Sequence, residues 1–559
     1  MPRYRLLRYQ KQGENLGCLR AALKGQVSVA AAHMNETRFR RSIYLVRATD
    51  LSVEFFAKLS KRSIGIVALL PWNLASAIET EYLEKQQEII RKPAVSEIAP
   101  SELSADGNDP LSEEIDEAET FALTNFRSFF DYKMKKMREF ERVAISQPLN
   151  FPIYFAWETT PLLNLYDVLS SRGRNFLLES QYTMIASISE SGKIERLRGV
   201  NYMGWMASNQ PDISRSSIPT IALVAHYDAF SSVPSLALGS EHSGSGLIAI
   251  LEIIRLFSKI QALGHKSQYK LLFLLTSGAS SNFQGTEQWL SKADPFLLDS
   301  LEYALCLDAL GGEALHLHLS RLPRNAKAQQ LVETLRHISE RHGESFDLQV
   351  KKVKVNSPVV PWQHEQFSKH KVAGGTLSHL KEVSSPYARG SVFDYDASAP
   401  GKQEKLITHI KIIAEALAHH IFDITEPTME IFSGSFEPSP PYVTAWQNAL
   451  KNSSRFYPLM KKQSGFMKDL KATLFEYLPN IQSVEFVVDN ELNVYYRDEA
   501  VQIKVNHVKN PLFNLVHLLA NLLYLSILYL IITGGAIFRE GIPWKSLFRA
   551  APKKKSKTH

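Results

Sequence analysis

Cysteine is scarce in this chain of 559 residues, which contains only Cys18 and Cys306. Two cysteines are too few for a disulfide framework or for a cysteine-rich metal site. The sequence also lacks a G-x-S-x-G nucleophile elbow, a phosphate-binding loop and the glycine pattern of dinucleotide-binding folds. These absences argue against a serine hydrolase of the α/β-hydrolase type and against the common nucleotide-binding enzymes.

The net charge of +7 and the pI near 9.0 do not indicate a nucleic-acid partner. Much of the positive excess lies in the last fifteen residues, so the tail explains the basic pI. The apolar fraction of 45% and the charged fraction of 22% are typical of a globular protein. The length allows two or three domains with a large core.

One stretch, Pro511 to Phe538, contains no Asp, Glu, Lys or Arg. As a helix of about 28 residues at about 1.5 Å each, it would reach about 42 Å and cross a hydrocarbon layer about 30 Å thick. A buried core helix is the alternative, although an uncharged core helix of this length is unusual. Residues 539–559 are basic, and positive charge stays cytoplasmic. We therefore predict a single transmembrane helix at 511–538, a cytosolic tail at 539–559 and the opposite side of the membrane for residues before 510.

The start of the chain predicts no cleavable signal peptide in the sequence as written. Met1 is followed at once by Arg3, Arg5 and Arg8, without the apolar run that such a peptide needs.

The rest of the chain divides into four predicted segments. Residues 1–91 have the pattern of a small α/β lobe. Residues 92–149 form an acidic insertion or linker, rich in Ser, Pro, Asp and Glu at 93–120, that continues into a charged helix near 119–145. The last two segments are an α/β domain at 150–425 and a membrane-proximal segment at 426–510.

Strands and helices alternate in the segment 150–425, which predicts a mixed, mostly parallel sheet covered by helices. Strands are expected near 151–157, 177–188, 196–206, 219–227, 269–277, 301–308, 314–319, 346–355 and 374–379. Helices are expected near 160–170, 244–262, 284–292, 326–342 and 403–422. The segment 426–510 is predicted to hold helices followed by a hairpin-like pair of strands, Ser483–Val488 and Asn493–Tyr496.

The stretch Thr220–Asp228 is the centre of the α/β domain. Its apolar residues predict a buried strand of an α/β sheet. His226 and Asp228 end this strand two residues apart, so their side chains point to the same side. A glycine-rich stretch, Ser243–Gly246, and an amphipathic helix follow. An imidazole and a carboxylate at the end of such a strand can converge on one ion.

This order of elements resembles the di-zinc aminopeptidases, and the resemblance allows each metal ligand to be matched. His226 and Asp228 match the His-x-Asp motif, and Asp308 matches a later Asp. The bridging Asp falls on Glu241, which is one methylene longer. The remaining positions depart from the family. The family's Glu-Glu pair supplies a metal ligand and the general base that acts on the metal-bound water, but its two positions fall on Ala279 and Ser280. The family's late His is also missing, because no His precedes Asp394 at the expected place.

The resemblance therefore implies a degenerate site without catalytic residues, cofactor or metal, in which His226, Asp228, Glu241 and Asp308 are remnants. We expect His226, Asp228 and Asp308 to hydrogen-bond one another or loop amides, and a residual ion is the alternative. His379 is a candidate substitute for the late His but lies about eleven residues too early. His316 and His318 alternate on one strand and could chelate an ion, although a polar strand face is the simpler and favoured interpretation.

Motifs along the whole chain resemble the nicalin family, the endoplasmic reticulum relatives of nicastrin. They are Ile221–Phe230, Phe283–Leu290, Leu305–Asp308, Leu315–Leu319, Trp362–Phe367 and Thr376–Leu380. The resemblance implies an aminopeptidase-like lumenal domain and a non-enzymatic scaffold in the endoplasmic reticulum membrane. It implies as partners the nodal modulator protein, a small multispanning membrane protein and the ribosome-associated translocon for multipass membrane proteins, besides membrane lipid.

Two alternative functions remain open from the sequence. One is an active membrane-bound zinc aminopeptidase, and the other is a receptor that uses the old substrate cleft to bind peptide or lipid.

A lumenal domain would also expose the sequons at Asn35 and Asn452 to glycosylation. Near the end of the tail, Lys555 and Lys557 fit the K-x-K-x-x form of a dilysine retrieval signal. The alternative is that these lysines only fix the orientation of the chain in the membrane.

Overall fold

The structure is a computed structural model, and part of the chain can be described from it. The described residues are 4–11, 14–19, 23, 26–32, 41–91, 125–171, 181–187, 192–194, 196–206, 218–265, 267–354, 356–357, 359–383, 389–395, 401–424, 426, 429–489, 493–496, 501–508 and 511–540. The predicted acidic insertion at 93–120, the sequon at Asn35 and the dilysine motif lie outside these residues.

The strands of the described residues are numbered in chain order. They are β1 (Tyr4–Arg5), β2 (Arg8–Lys11), β3 (Glu14–Cys18), β4 (Val27–Ala31), β5 (Ile43–Arg47), β6 (Gly65–Leu70), β7 (Pro148–Leu149), β8 (Ile153–Trp157), β9 (Gln181–Ser187), β10 (Lys193–Ile194), β11 (Arg196–Met206), β12 (Thr220–His226), β13 (Lys270–Thr276), β14 (Leu301–Leu307), β15 (Ala314–Leu319), β16 (Ser345–Val350), β17 (Gly374–Ser378), β18 (Gln482–Asp489), β19 (Asn493–Tyr496) and β20 (Gln502–Val508).

The α-helices are numbered in the same way. They are α1 (Val53–Ser60), α2 (Leu74–Arg91), α3 (Phe126–Ser146), α4 (Thr160–Ser170), α5 (Gly244–Ala262), α6 (Gln284–Lys292), α7 (Pro295–Ser300), α8 (Ala326–Arg341), α9 (His364–Lys369), α10 (Lys402–Ile421), α11 (Pro440–Lys451), α12 (Gly465–Tyr477) and α13 (Pro511–Glu540).

The main sheet has eight strands in the order β16-β15-β17-β14-β12-β13-β11-β18. Its centre is parallel, because β12 pairs in parallel with β13 and β14, and β14 pairs in parallel with β17. The pairs β15–β17, β11–β13 and β11–β18 are antiparallel. This is the predicted mixed, mostly parallel sheet, and β12 lies at its centre because each of its residues is apolar or buried.

Helices cover both faces of the main sheet, as the alternating pattern predicts. On one face, α5, α8, α10, α11 and α12 contribute to a large apolar core that includes Leu223, Leu247, Ile254, Leu331 and Ile413. On the other face, Trp289 of α6 and Phe367 of α9 pack against the strands with Val224 and Cys306. The central strands are therefore buried on both sides, which explains their continuous apolar sequences.

A second sheet has seven strands in the order β1-β8-β6-β5-β4-β9-β20, and a third has five strands in the order β10-β19-β2-β3-β7. The seven-stranded sheet joins strands from both ends of the described chain and from residues 153–187. The division into domains at residue 91 stays a prediction, although the strands of this sheet come from both sides of that residue.

The predicted hairpin of Ser483–Val488 and Asn493–Tyr496 is wrong. β18 pairs with β11 in the eight-stranded sheet, whereas β19 pairs with β10 and β2 in the five-stranded sheet. The two strands are close in sequence, but each pairs with strands that lie far from it in the chain. Phe486 and Tyr495 both belong to the core formed around α1 and α3.

Helix α13 is the one described helix that is long and apolar enough to cross a membrane. Its segment Leu512–Thr533 has 22 residues and a mean hydropathy of 2.2, and none of it is buried. Large apolar side chains such as Leu523, Tyr524 and Ile531 are more than 60% exposed. A soluble core helix would bury these side chains, so the exposure argues against that alternative.

Candidate functional site

The candidate site lies at the carboxyl edge of the central parallel strands. β12 and β14 are parallel neighbours, and Ala225 pairs with Leu307. The residues that follow, His226 and Asp308, therefore emerge side by side, and His226 Nε2 lies 3.9 Å from Asp308 Oδ1. Burial lowers the pKa of His226 to about 4, against the opposing effect of Asp308. His226 is therefore neutral at physiological pH, and its contact with Asp308 is not an ion pair.

Asp228 is held by the loop that follows β13. Its two carboxylate oxygens accept hydrogen bonds from the backbone N–H of Ala279, at 3.2 and 3.0 Å. Burial raises the pKa of Asp228 to about 6, and these hydrogen bonds oppose that rise. The expected bond from Asp228 to a loop amide is therefore present. That amide belongs to Ala279, at a position where the aminopeptidase pattern places a glutamate.

Arg389 fills the space beside Asp308, and sequence reasoning missed it. Its Nη1 lies 3.1 Å from Asp308 Oδ2, and its Nη2 donates to the carbonyl oxygen of Pro361. The guanidinium also lies over the rings of Phe283 and Trp362, 5.0 and 4.7 Å from their centroids. Burial lowers the pKa of Arg389, and Asp308 opposes that effect. A fixed positive charge therefore stands next to a carboxylate that matches a metal ligand.

A second buried arginine, Arg455, enters the site from the segment between α11 and α12. It donates to the carbonyl oxygens of Tyr227, Leu238 and Gly239, at 2.6 to 3.2 Å, and to the hydroxyl of Ser243 at 3.1 Å. Burial lowers its pKa to about 10, so the group remains charged. Arg455 thus ties the strand that carries His226 and Asp228 to the loop before α5.

Glu241 does not face His226 and Asp228. Its Oε1 accepts from the backbone N–H of Gly311 at 3.1 Å and lies 3.2 Å from His379 Nδ1. Its Oε2 lies 3.3 Å from His242 Nδ1. Burial disfavours the charged carboxylate, but His379 and His242 outweigh it and hold the pKa of Glu241 well below its usual value. The remnant carboxylate is thus part of a separate ionic cluster.

Asp394 and His379 complete this cluster. Asp394 accepts from the backbone N–H groups of Glu241 and His242 and from His242 Nδ1, at 3.0 to 3.1 Å. His379 therefore lies beside the remnant Glu241, although the sequence places it too early for a ligand. Gly312 is required here, because a Cβ at that position would lie 2.4 Å from the His379 ring.

His316 and His318 do not converge on an ion. His318 Nε2 lies 2.8 Å from the carbonyl oxygen of Leu380, and the ring stacks on Trp362 at 3.8 Å. His316 Nδ1 instead lies 3.5 Å from Asp347. The two rings serve as a polar strand face with separate partners, which is the simpler of the two expectations.

The geometry offers little to hold a metal ion. Among the described residues, no three His, Cys, Asp or Glu side chains are grouped so that they could bind one. The two positions of the Glu-Glu pair are Ala279 and Ser280, which have no carboxylate. The cleft lined by His226, Asp228, Ser280 and Arg389 has a volume of about 20 Å³. That space is enough for about one water molecule and too small for a peptide substrate.

Comparisons with known proteins agree with the fold and the motifs. No family model matches the chain. It is 27% identical over 571 residues to the "BOS complex subunit ncln" of Danio rerio, covering 95% of this chain and 89% of that protein. The "BOS complex subunit NCLN" of Homo sapiens is 27% identical over 94% of this chain and 87% of its own length. "Nicalin" of Caenorhabditis elegans is 27% identical over 55% of this chain and 58% of its own length.

Among solved structures, the chain is similar to nicastrin, a component of gamma-secretase. The TM-score is 0.58 at 10% sequence identity, and the alignment covers 90% of this chain and 99% of nicastrin. At that identity the likeness concerns the fold alone. The predicted resemblance to the nicalin family and the predicted aminopeptidase-like fold are both confirmed.

Proposed function

We propose that this relative of the nicalins is a non-enzymatic subunit of a membrane protein complex. The observation that carries the proposal is the similarity over 95% of the chain to a protein named as a subunit of the BOS complex. The similarity is not confined to one domain, since it extends across the sheets and the candidate site. The chain resembles this subunit along most of its length and has Ala279 and Ser280 where the aminopeptidase pattern places its Glu-Glu pair. This combination fits an assembly role better than a catalytic one.

Catalysis has little chemical support at the site. Ala279 and Ser280 offer neither a metal ligand nor a general base, and hydrolysis by a metal-bound water needs both. Arg389 places a positive charge 3.1 Å from Asp308, so an incoming divalent cation would meet electrostatic repulsion. The guanidinium supplies the charge balance that a metal would otherwise supply. An active membrane-bound zinc aminopeptidase is the alternative function, and it requires that zinc displace Arg389 from Asp308.

The finer proposal follows the family resemblance. The complex is in the endoplasmic reticulum membrane and assists the biogenesis of multipass membrane proteins at the ribosome-associated translocon. Its other members are the nodal modulator protein and a small multispanning membrane protein. Helix α13 spans the membrane once, with the bulk of the chain in the lumen and the basic tail in the cytosol.

The predicted sequon at Asn452 gives a test of the proposed lumenal orientation. Asn452 directly follows the last residue of α11, and its side chain is exposed. Its Nδ2 donates one hydrogen bond, to the carbonyl oxygen of Asn448 at 3.1 Å, which leaves its second N–H for a glycan. A lumenal location therefore makes Asn452 a glycosylation site, and a cytosolic location does not.

Affinity purification in mild detergent tests this function. The tagged full chain is isolated from membranes of cells that express it, and a single-pass membrane protein of the same compartment with the same tag is the control. We expect the nodal modulator protein and a small multispanning protein to copurify with the chain and not with the control. Recovery of the folded chain without either partner, together with aminopeptidase activity that a chelator abolishes, would instead favour the metallopeptidase.

A further inference from the structure

A larger cleft lies beside the remnant site and is not explained by the proposed function. Its volume is about 370 Å³, within the range of small-molecule sites. One wall is helix α3, and the other is formed by the loops after β14 and β17, the loop before α5 and the start of α10. Glu241, His242 and His379 line its floor. The cleft is much larger than the narrow space around His226, which has a volume of about 20 Å³.

Basic side chains are the main polar feature of this cleft. Arg138 and Arg142 come from α3 and Lys402 from α10, with Lys135 and Arg127 farther along α3. Arg127 is neutralised by an ion pair with Glu313. Within the described part of the chain, the other four cations form no ion pair or hydrogen bond with a side chain, and the buried Arg138 Nε has no hydrogen-bond partner.

The carboxylates near these cations do not account for them. Glu241 is satisfied by Gly311, His379 and His242, and Asp394 is satisfied by backbone N–H groups and His242. Arg138 favours the ionised form of Asp394 electrostatically but donates no hydrogen bond to it. Asp131 and Glu139 also line the cleft, so four unpaired cations face two acidic groups that neutralise only half of their charge.

The positions of Arg138 and Arg142 need an explanation of their own. They are four residues apart on α3, so they lie on the same side of the helix one turn apart, where like charges repel. Such a pair weakens an isolated helix unless an anion lies between the two side chains. Guanidinium groups are also the side chains best suited to bind carboxylate or phosphate with two parallel hydrogen bonds.

We propose that this cleft binds the anionic group, phosphate or carboxylate, of a small ligand, between Arg138 and Arg142 on one wall and Lys402 on the other. Phe130 and Met134 of α3 provide apolar surface for the body of that ligand. The ligand links α3 to the loops of the old catalytic domain, because its anion contacts both walls. This site differs from the aminopeptidase metal site, because Glu241 is the one remnant of that site that lines the cleft and His226, Asp228 and Asp308 do not.

Binding is tested on the full chain in a neutral detergent by isothermal titration calorimetry. Sodium phosphate and sodium glutarate, a dicarboxylate, are the two probes, each at an ionic strength held constant with sodium chloride. We expect at least one probe to bind wild type with a Kd in the millimolar range or better. Binding of phosphate alone identifies a phosphate ligand, and binding of glutarate alone identifies a carboxylate ligand.

The matched variants are R138Q/R142Q and K58Q/K61Q, which remove the same number of positive charges. Lys58 and Lys61 are exposed at the end of α1. We expect R138Q/R142Q to weaken binding at least about tenfold, because charge-assisted hydrogen bonds are lost, and K58Q/K61Q to stay within about twofold.

If R138Q/R142Q does not fold, as judged by its unfolding transition, K402Q takes its place, with binding at least about threefold weaker. The proposal is overturned if neither probe binds wild type at up to about 20 mM. Equal affinities of the wild type and the folded cleft variant overturn it as well.

Discussion

Replacing Arg389 by methionine tests the pairing at the remnant site. Met has a similar length and no charge, so the substitution leaves Asp308 buried without an opposite charge. Removing one partner of a buried ion pair typically destabilises a protein by about 3–5 kcal/mol, because the remaining charge is uncompensated. Arg389 is 6% exposed and Asp308 is 1% exposed, so water cannot solvate the carboxylate in its place. The loss of contact with the faces of Phe283 and Trp362 adds to the destabilisation.

The free energy converts into a measurable temperature shift. For a domain of about 300 residues, the entropy of unfolding of about 2.1 cal/mol/K per residue gives about 0.6 kcal/mol/K. A loss of about 3–5 kcal/mol therefore lowers the Tm by about 5–8 °C. We expect this shift in thermal unfolding of the detergent-solubilised chain, followed by tryptophan fluorescence. Arg321→Met, at an exposed arginine, is the matched control and should stay within about 1 °C.

A second variant separates charge from packing. Adding Asp308→Asn to Arg389→Met removes the orphaned carboxylate, so the double variant should recover at least about half of the lost stability. An additive double variant would show that the two groups do not interact. A single Arg389→Met variant with the Tm of wild type would refute the reasoning outright.

Three further predictions concern pH, topology and residence. Burial lowers the pKa of His420 to about 4, below the usual value of about 6.5. Between these two values the unfolded chain binds more protons than the folded chain, so the stability falls as the pH drops from about 6.5 towards 4. His420→Phe should make the loss of unfolding free energy between pH 7.5 and pH 5 smaller by about 1–2 kcal/mol. A variant whose Tm falls between pH 7.5 and pH 5 by as much as that of the wild type would contradict this. Asn452→Gln should reduce the glycosidase-sensitive gel shift by one glycan, whereas a wild-type band that glycosidase does not move argues against a lumenal segment. Lys555→Ser with Lys557→Ser should release the chain from the endoplasmic reticulum without inverting it, and continued residence with unprocessed glycans would mean that partners retain the chain.

Sequence patterns predicted the main sheet closely because its strands carry a strong local signal. Thr220–His226 and Lys270–Thr276 are almost continuously apolar, as expected for strands buried on both faces. The convergence of His226 and Asp308 also follows from the sequence, since parallel neighbours end at the same edge. The error at 483–496 has the opposite cause. β18 pairs with β11, and β19 pairs with β10 and β2, so sheet membership depends on partners far away in the chain that neighbouring residues do not encode.

Arg389 and Arg455 could not be identified from sequence patterns. Neither is a residue type associated with metal sites, and both lie in connecting segments outside the strands and α-helices. One signal was available for Arg389, which stands a few residues before Asp394, in the stretch where the aminopeptidase pattern places its late histidine. A cation at a missing ligand position is a feature to look for in other chains that resemble metalloenzymes but lack some of the metal ligands. Arg455 carries no such signal, because its partners are mainly backbone carbonyl oxygens more than 200 residues away.

The zinc content of the purified full chain tests most directly whether arginine charge has replaced the metal. The protein is incubated with excess zinc, freed of unbound metal by gel filtration and measured by elemental analysis. The account predicts less than about 0.1 zinc ion per chain, because the site has too few ligands and a guanidinium beside Asp308. About two zinc ions per chain, lost in His226→Ala and accompanied by aminopeptidase turnover, would contradict it.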